Sequence, residues 1–323
     1  MEYIILVMSL AGIVLGADFL VAGSVSVARR YKVSDFFIGA AIIGIGTSMP
    51  ELTVSFLGAL NGNSDVAIGN IVGSNIFNVL GILGLTAIFF PITFCKENLR
   101  FDIPFCIGIS VFVTLLSFKF FTSTENSLDG FDGILLIAAF AAFMWISFYR
   151  DKQTKSKDVH QNTDEKPVEA IWISILKITG GLAVLILSCD TFVDVSVLIA
   201  KSFGVSDSFI SLTLIACGTS LPELAASIAA AIKKNTSMAL GNIVGSNIFN
   251  IGLILGLCSL VSPLTSTGIG LVDYMVMIAA VMILFLFGRN YKISRGEGVI
   301  LFLCYVAYSW YLIYHYNNLV ISS

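Results

Sequence analysis

An internal repeat constrains the fold of this chain more than any other feature. Residues 46–85 begin with GTSMPEL and continue to GNIVGSNIFN, and residues 218–257 begin with GTSLPEL and reach an identical GNIVGSNIFN. A constant offset of 172 residues relates the two copies, and it also pairs Asp18 with Asp190. The two halves of the chain are therefore expected to fold as copies of each other.

The composition places both copies in a membrane. Hydrophobic residues make up 57% of the 323 residues and charged residues 12%, and the mean hydropathy is +0.92. A helix needs about 20 apolar residues to cross a bilayer. Apolar runs predict ten such spans, over residues 3–28, 36–60, 66–90, 102–120, 131–149, 171–200, 208–232, 238–261, 270–288 and 297–315. The predicted fold class is an all-α membrane protein with ten transmembrane helices.

Five predicted spans lie on each side of a charged segment. We expect a first five-helix repeat over residues 1–149, a linker over 150–170, and a second five-helix repeat over 171–323. Because five is odd, the second copy must enter the membrane in the opposite sense to the first. Inverted repeats of this kind recur in secondary transporters, which bind their substrates near the bilayer midplane between the halves.

The positions of Lys and Arg predict the orientation. With the N-terminus outside, only Lys119 and Lys201 of the 18 Lys and Arg residues fall on the outer side. Positive residues favour the cytoplasmic side, so both termini are predicted to be extracytoplasmic. The short loops favour a prokaryotic cytoplasmic membrane. A net charge of -3 removes the main electrostatic argument for binding nucleic acid.

Two glutamates lie inside the apolar spans of the repeat. A charged side chain at the bilayer centre costs about 2.5–3.5 kcal/mol unless it is compensated. The only basic residues in the repeat blocks, Lys233 and Lys234, fall at the cytoplasmic end of a span, so no Lys, Arg or His is placed to pair with Glu51 or Glu223. The sequence therefore predicts that a bound cation, or a proton when the site is empty, neutralises them.

Oxygen-bearing side chains accompany both glutamates at helical spacing. They recur every four residues, as Thr47, Glu51 and Ser55, then Asn70, Ser74 and Asn78, and in the second copy as Thr219, Glu223 and Ser227, then Asn242, Ser246 and Asn250. Pro50 and Pro222 are expected to interrupt their helices and free backbone carbonyls. Calcium takes about six to eight oxygen ligands, whereas softer metals prefer Cys or His. The pattern therefore predicts a site for a hard cation.

The repeat also contains small residues at GxxxG spacing. Gly69 with Gly73, and Gly241 with Gly245, stand four residues apart in the two identical segments. Glycines at this spacing let neighbouring helix backbones approach closely. We therefore predict that these four residues serve helix packing rather than cation ligation.

GTSxPEL followed by GNIVGSNIFN, present twice in opposed halves, resembles the alpha-repeats of the sodium/calcium exchanger family, in the cation/calcium antiporter superfamily. The resemblance is to the prokaryotic type and implies ten helices in two inverted halves, with the first and sixth spans sliding against a core bundle. It also implies Glu51 and Glu223 as central cation ligands. The resemblance extends the implied ligand set to Thr47, Ser48, Ser74, Asn78, Thr219, Ser220, Ser246 and Asn250.

One position departs from the pattern of several family members. They carry an aspartate where this chain has Asn250, so two carboxylates rather than three would line the site. Two negative charges balance one calcium ion, while three sodium ions would leave one positive charge uncompensated. The stoichiometry therefore stays open.

The resemblance implies a sodium/calcium antiporter that works by alternating access. Calcium and sodium are the predicted substrates, the bilayer is the other partner, and no cofactor or protein partner is implied. A calcium/proton antiporter and a potassium-dependent sodium/calcium exchanger are the alternatives. Inverted repeats argue against a channel, and the absence of HExxH or a nucleophile–base pair argues against an enzyme. Asp18 and Asp190 could either line the ion passage or support neighbouring helices.

Overall fold

The computed structural model describes residues 2–119, 127–155, 169–203, 218–265 and 268–322. These residues are mostly helical. The helices are α1 (Glu2–Tyr31), α2 (Asp35–Thr47), α3 (Met49–Leu60), α4 (Ser64–Phe89), α5 (Asn98–Phe118), α6 (Gly130–Lys155), α7 (Ile171–Ser202), α8 (Leu221–Ile232), α9 (Thr236–Val261), α10 (Leu271–Gly288) and α11 (Arg295–Ser322).

The described helices match most of the predicted spans. Eight are long and apolar enough to cross a membrane, and α2 with α3 would make a ninth span bent by 48°. Helix α8 covers the end of the predicted span 208–232, and residues 204–217 lie outside the described part of the chain. The protein is thus a multi-pass helical membrane protein, and the count of ten spans stays a prediction.

The second predicted span is interrupted next to Pro50, as the sequence predicts. Helix α2 ends at Thr47, Ser48 leaves the helical conformation with φ −83° and ψ 11°, and Pro50 stands in the first turn of α3. Proline suits a first turn because the N–H that it lacks would have no helical partner there. The second copy is built alike, with Ser220 at φ −91° and ψ 8° before Pro222 in α8. Each break sets a glutamate at the start of a new helix.

The helices after each break carry a widened turn that the sequence analysis did not predict. Residues Phe77–Leu83 of α4 and Asn250–Leu255 of α9 form π-helical turns. Such single turns occur often at functional sites, because the extra residue per turn displaces side chains from the regular helical positions. Asn78 and Asn250, both predicted ligands, lie in these turns.

Glycines bring helix backbones together at two interfaces. A Cβ at Gly241 would lie 2.1 Å from the Phe36 carbonyl oxygen, and one at Gly245 would lie 2.4 Å from the Ala40 Cα, so α2 packs directly on α9. This confirms the GxxxG prediction for the second copy. In the first copy a Cβ at Gly69 would meet Ile269 at 3.2 Å, while one at Gly73 would have no neighbour within 4 Å among the described residues.

Helices α1 and α7, which correspond in the repeat, pack along each other in opposite directions. A Cβ at Gly16 would lie 2.6 Å from the Leu185 nitrogen, and Ser26 nearer the end of α1 bonds Ser174 near the start of α7 at 2.7 Å between hydroxyl oxygens. Because the contact partner moves toward the start of α7 as α1 advances, the pair is antiparallel.

The all-α prediction needs one small correction. Two-residue strands β1 (Ile92–Thr93) and β2 (Lys292–Ile293) pair antiparallel and join the loop after α4 to the loop before α11. Ile92 and Ile293 are fully buried and therefore fasten these loops to the core. The helical spans alone gave no signal for this pairing, since it joins segments about 200 residues apart.

Candidate cation site between the repeats

The two repeat glutamates meet across the break points of the two copies. Glu51 and Glu223 are fully buried in the first turns of α3 and α8. The Ser220 hydroxyl donates to Glu51 Oε1 at 2.8 Å, and the Ser48 hydroxyl donates to Glu223 Oε1 at 2.7 Å. The two carboxylates are also within electrostatic range of each other. Each copy therefore supplies a carboxylate and the hydroxyl that orients the carboxylate of the other copy.

Each carboxylate keeps one oxygen without a partner. Glu51 Oε2 and Glu223 Oε2 are buried and accept no hydrogen bond, and no ion pair in the described part of the chain involves either residue. Helix N-termini favour negative charge, which eases the cost of each carboxylate but leaves its free oxygen unsatisfied. A buried acceptor without a partner costs about 1–3 kcal/mol, and more when it is charged. The geometry thus calls for a positive charge at these atoms.

An asparagine holds the backbone behind each carboxylate. Asn70 Nδ2 donates to the Glu51 carbonyl at 3.2 Å and to Ser55 Oγ at 2.9 Å, and the Thr219 hydroxyl lies 3.5 Å from Asn70 Oδ1. Asn70 therefore connects the backbone at the break to α4 of the same copy, and its side-chain oxygen contacts Thr219 of the other copy.

The second copy repeats this arrangement. Asn242 Nδ2 donates to the Glu223 carbonyl at 3.2 Å and to Ser227 Oγ at 2.8 Å, and the Thr47 hydroxyl lies 3.4 Å from Asn242 Oδ1. Ser246 adds a bond to the Gly44 carbonyl at 3.2 Å. Ser74 is also buried, but the position that corresponds to Gly44 lies outside the described residues.

The predicted amide ligands present two further free oxygens. Asn78 and Asn250 are fully buried, and the Oδ1 atom of each accepts no hydrogen bond. Their amide nitrogens donate instead to Asn247 Oδ1 and Asn75 Oδ1, at 3.0 Å in both cases. Sequence reasoning missed Asn75 and Asn247, because they stand one position after the four-residue stripes. The second asparagine in GNIVGSNIFN was the available signal.

The site as a whole is a buried, oxygen-rich cage. Nine of the ten predicted ligand residues are buried, and Thr219 is partly buried. No group of three or more acidic, His or Cys side chains able to hold a metal occurs among the described residues. Any cation at Glu51 and Glu223 would therefore complete its shell with hydroxyl, amide and carbonyl oxygens, which suit calcium and sodium rather than zinc or copper.

The second predicted acidic pair lies apart from this cage. Asp18 has 58% of its side chain exposed and pairs with Lys233 at 2.7 Å, and the same ammonium donates to the Asp18 carbonyl at 2.8 Å. Asp190 is exposed on α7. Of the two open interpretations for Asp18, the contact to Lys233 supports the structural one, because it joins α1 to the end of α8.

Fold and site together define a multi-pass helical membrane protein with a buried acidic cage built from two copies of one motif. A family model described as "Sodium/calcium exchanger protein" matches residues 1–149 and 173–314. The chain therefore belongs to the sodium/calcium exchanger family.

Individual relatives cover nearly the whole chain. The putative antiporter CaxA of Alkalimonas amylolytica is 36% identical over 314 residues, which cover 94% of this chain and 97% of the relative. The sodium/calcium exchanger MaX1 of Methanosarcina acetivorans is 33% identical, covering 97% and 99%. Among solved structures, the sodium-calcium exchanger NCX_Mj soaked with zero Na⁺ and Ca²⁺ superposes with a TM-score of 0.81 at 30% identity, covering 95% of this chain and 97% of its own.

Proposed function

We propose that this protein exchanges sodium for calcium across a membrane through one site at Glu51 and Glu223, exposed alternately to each side. The four buried oxygens without a donor, on the two glutamates, Asn78 and Asn250, carry the proposal. Two carboxylates balance one calcium ion, and removing the ion leaves a charge that sodium or a proton must replace. The same atoms therefore serve both directions of the exchange.

The proposed ligand set is the one implied by the family resemblance. The glutamates are central, and hydroxyl and amide oxygens complete the shell, from Thr47, Ser48, Ser74, Asn78, Thr219, Ser220, Ser246 and Asn250. The reciprocal bonds of Ser48 and Ser220 support this set, because a hydroxyl that donates to one carboxylate oxygen leaves its own lone pairs available to a cation.

The architecture behind the exchange is proposed to be ten spans in two inverted repeats. The repeats would occupy residues 1–149 and 171–323, with 150–170 as the linker. The antiparallel packing of the equivalent helices α1 and α7 supports an inversion, as do the reciprocal contacts of the site. The placement of Lys and Arg supports a cytoplasmic linker, extracytoplasmic termini and a location in the cell membrane.

The relatives support the choice of ions. MaX1 carries the name sodium/calcium exchanger, and NCX_Mj, a sodium-calcium exchanger, has been soaked with Na⁺ and Ca²⁺ or Sr²⁺. A shared family and fold make the same pair of ions the proposal for this chain.

Isotopic calcium uptake into sodium-loaded proteoliposomes tests the proposal. Uptake is expected to need the outward sodium gradient and to fall at least 100-fold in Glu51→Gln and in Glu223→Gln, because each change removes half of the negative charge of the site. Glu297→Gln, at the exposed start of α11, is the matched control and should transport normally.

Further measurements test the site and the coupling ion. Uptake at the wild-type rate in both site variants would overturn the proposal. Uptake driven by a pH gradient without sodium would instead assign a calcium/proton antiporter, and a requirement for potassium would assign the potassium-dependent type. Clamping the membrane potential during uptake measures whether the cycle moves net charge, which is worth about 2.3 kcal/mol per elementary charge at 100 mV.

A further inference from the structure

Four buried asparagines link α4 to α9, next to the helices that carry the two glutamates. We propose that Asn75 and Asn247 are positioning residues that turn the amide oxygens of Asn78 and Asn250 toward the transported cation. The inference rests on the proposed function of the site.

The orientation of Asn75 and Asn247 is fixed by backbone carbonyls. Asn75 Nδ2 donates to the Asn247 carbonyl at 3.2 Å, and Asn247 Nδ2 donates to the Asn75 carbonyl at 3.2 Å. A carbonyl oxygen can only accept a hydrogen bond, so each of these side chains must direct its NH₂ group at the opposite backbone. Both side-chain oxygens are then left as acceptors.

These acceptors fix the next pair of amides. Asn247 Oδ1 receives a hydrogen bond from Asn78 Nδ2, and Asn75 Oδ1 receives one from Asn250 Nδ2, both at 3.0 Å. Rotating either amide by 180° would bring two oxygens together and lose the bond. Asn78 Oδ1 and Asn250 Oδ1 must therefore point away from the asparagine network, and they are the two amide oxygens that lack a donor.

A neutral amide ligand depends on a fixed orientation more than a carboxylate ligand does. One end of the amide is an oxygen that binds a cation, and the other end is an NH₂ group that repels it. A carboxylate presents oxygen in either rotamer, so its orientation is less critical. Both amide ligands of the proposed site, Asn78 and Asn250, are asparagines, which makes correct amide orientation necessary for this chain.

The network also crosses between the copies of the motif. Asn247 on α9 orients Asn78 on α4, and Asn75 on α4 orients Asn250 on α9. The two amide ligands are thus fixed relative to each other as well as toward the site. All four residues are at most 1% exposed, so none of them reaches bulk water in this conformation.

A double-mutant cycle tests the proposal. Asn247→Leu leaves Asn78 Nδ2 without an acceptor, so we expect the KM for calcium to rise about ten-fold or more, as for other residues that orient metal ligands. In an Asn78→Asp background, either rotamer presents an oxygen to the cation, and the aspartate has no N–H group to donate to Asn247 Oδ1. The same Asn247→Leu change should therefore not raise the KM in that background.

The cycle separates a positioning role from a purely structural one. A structural role predicts the same rise in KM in both backgrounds, and that result would overturn the inference. Asn98→Leu is the control, since Asn98 is equally buried but lies outside the network, and it should leave the KM unchanged. If Asn247→Leu fails to fold, the equivalent cycle of Asn75→Leu with Asn250→Asp applies the same criterion.

Wild-type uptake is measured before the variants. If the wild-type protein shows no sodium-driven calcium uptake, the proposed function itself is refuted. Normal wild-type uptake with equal effects in both arms of the cycle would refute only the positioning role.

Discussion

At the scale of single residues, each copy of the motif contributes side chains that hydrogen-bond to the glutamate of the other copy. Each carboxylate is oriented by a serine from the opposite break, and both serines stand where the helix has been interrupted. A hydroxyl in a regular helix commonly bonds the carbonyl four residues earlier, as Ser110 does with Cys106. The break frees Ser48 and Ser220 from that alternative, which explains why proline and serine occur together.

Removing either serine hydroxyl should weaken cation binding. Ser48→Ala and Ser220→Ala each leave a buried carboxylate without its donor, and hydrogen bonds to charged groups contribute about 1.5–3 kcal/mol. We expect the KM for calcium to rise about ten-fold in each variant, and by similar factors because the contacts are reciprocal. Ser110→Ala removes an equally buried hydroxyl within α5 and is the control. Calcium uptake at varied concentration measures the effect, and an unchanged KM in both serine variants would contradict it.

At the scale of elements, the repeat predicts helix boundaries well. Helices α3 and α8, and α4 and α9, begin and end at positions separated by the repeat offset. The positions of the prolines and the lengths of the apolar runs suffice to predict these boundaries, because both are local features of the sequence. The π-helical turns at Asn78 and Asn250 could not be predicted in the same way, because a widened turn depends on packing between helices rather than on local sequence.

Contacts between residues far apart in the sequence limit how much of the site the sequence can predict. The glutamates and their stripes were found because a charge inside an apolar span is costly wherever it lies. The roles of Asn75 and Asn247 became clear when α4 and α9 were placed together, since their bonds join residues 172 positions apart. The pairing of Asp18 with Lys233 was equally hidden, because Lys233 stands at the end of its helix.

The packing of α2 on α9 should be intolerant of a single methyl group. Gly241→Ala places a Cβ against the Phe36 carbonyl, and overpacking of this kind costs about 1–3 kcal/mol. We therefore expect a lower midpoint of thermal unfolding in detergent. Gly108→Ala is the matched control: its Cβ would have no described neighbour within 4 Å, and replacing a glycine inside a helix by alanine gains up to about 1 kcal/mol. A Gly241→Ala protein as stable as the control would refute the close contact.

The start of α6 offers a test at low pH. Asp129 Oδ2 lies 2.8 Å from Lys119 Nζ, which lowers the pKa of Asp129, while Asp129 Oδ1 accepts hydrogen bonds from the N–H groups of Phe131 and Asp132. Asp129→Asn keeps the capping oxygen and removes the charge. Because the folded-state pKa is depressed, the ion pair stabilises the protein above the unfolded pKa of about 3.9 and loses its effect as the pH falls through the folded value.

Thermal unfolding of wild type and Asp129→Asn at two pH values measures this contribution. At pH 7 the variant should be less stable by under about 1 kcal/mol, as for ion pairs near a protein surface. Below the folded pKa of Asp129 the difference should disappear, since Lys119 stays charged and the aspartate no longer does. An equal difference at both pH values would mean that the carboxylate charge contributes nothing.

At the scale of the whole molecule, the two halves differ where α1 meets the rest of the protein. Lys233 at the end of α8 pairs with Asp18 on α1. The repeat places Asn61 at the position equivalent to Lys233, so Asp190 on α7 cannot form the same ion pair. The contact of α1 with α8 therefore has no charged counterpart in the other half. The sliding of the first span that the family resemblance implies would break this ion pair whenever α1 moves relative to α8.

Cross-links between different helix pairs can separate the moving unit from the fixed one. The family resemblance implies that the first and sixth spans slide against a core bundle, and the close packing of α1 on α7 favours a joint movement of these two helices. In a cysteine-free background, a disulfide between Ser26→Cys and Ser174→Cys, whose hydroxyls lie 2.7 Å apart, should leave sodium-driven calcium uptake largely intact. Joining Asp18→Cys to Lys233→Cys with a short bifunctional thiol reagent should abolish uptake. The same pair of substitutions without the reagent should transport, because only the covalent link holds α1 on α8. Transport that continued with α1 linked to α8, or stopped with α1 linked to α7, would refute a joint movement of α1 and α7.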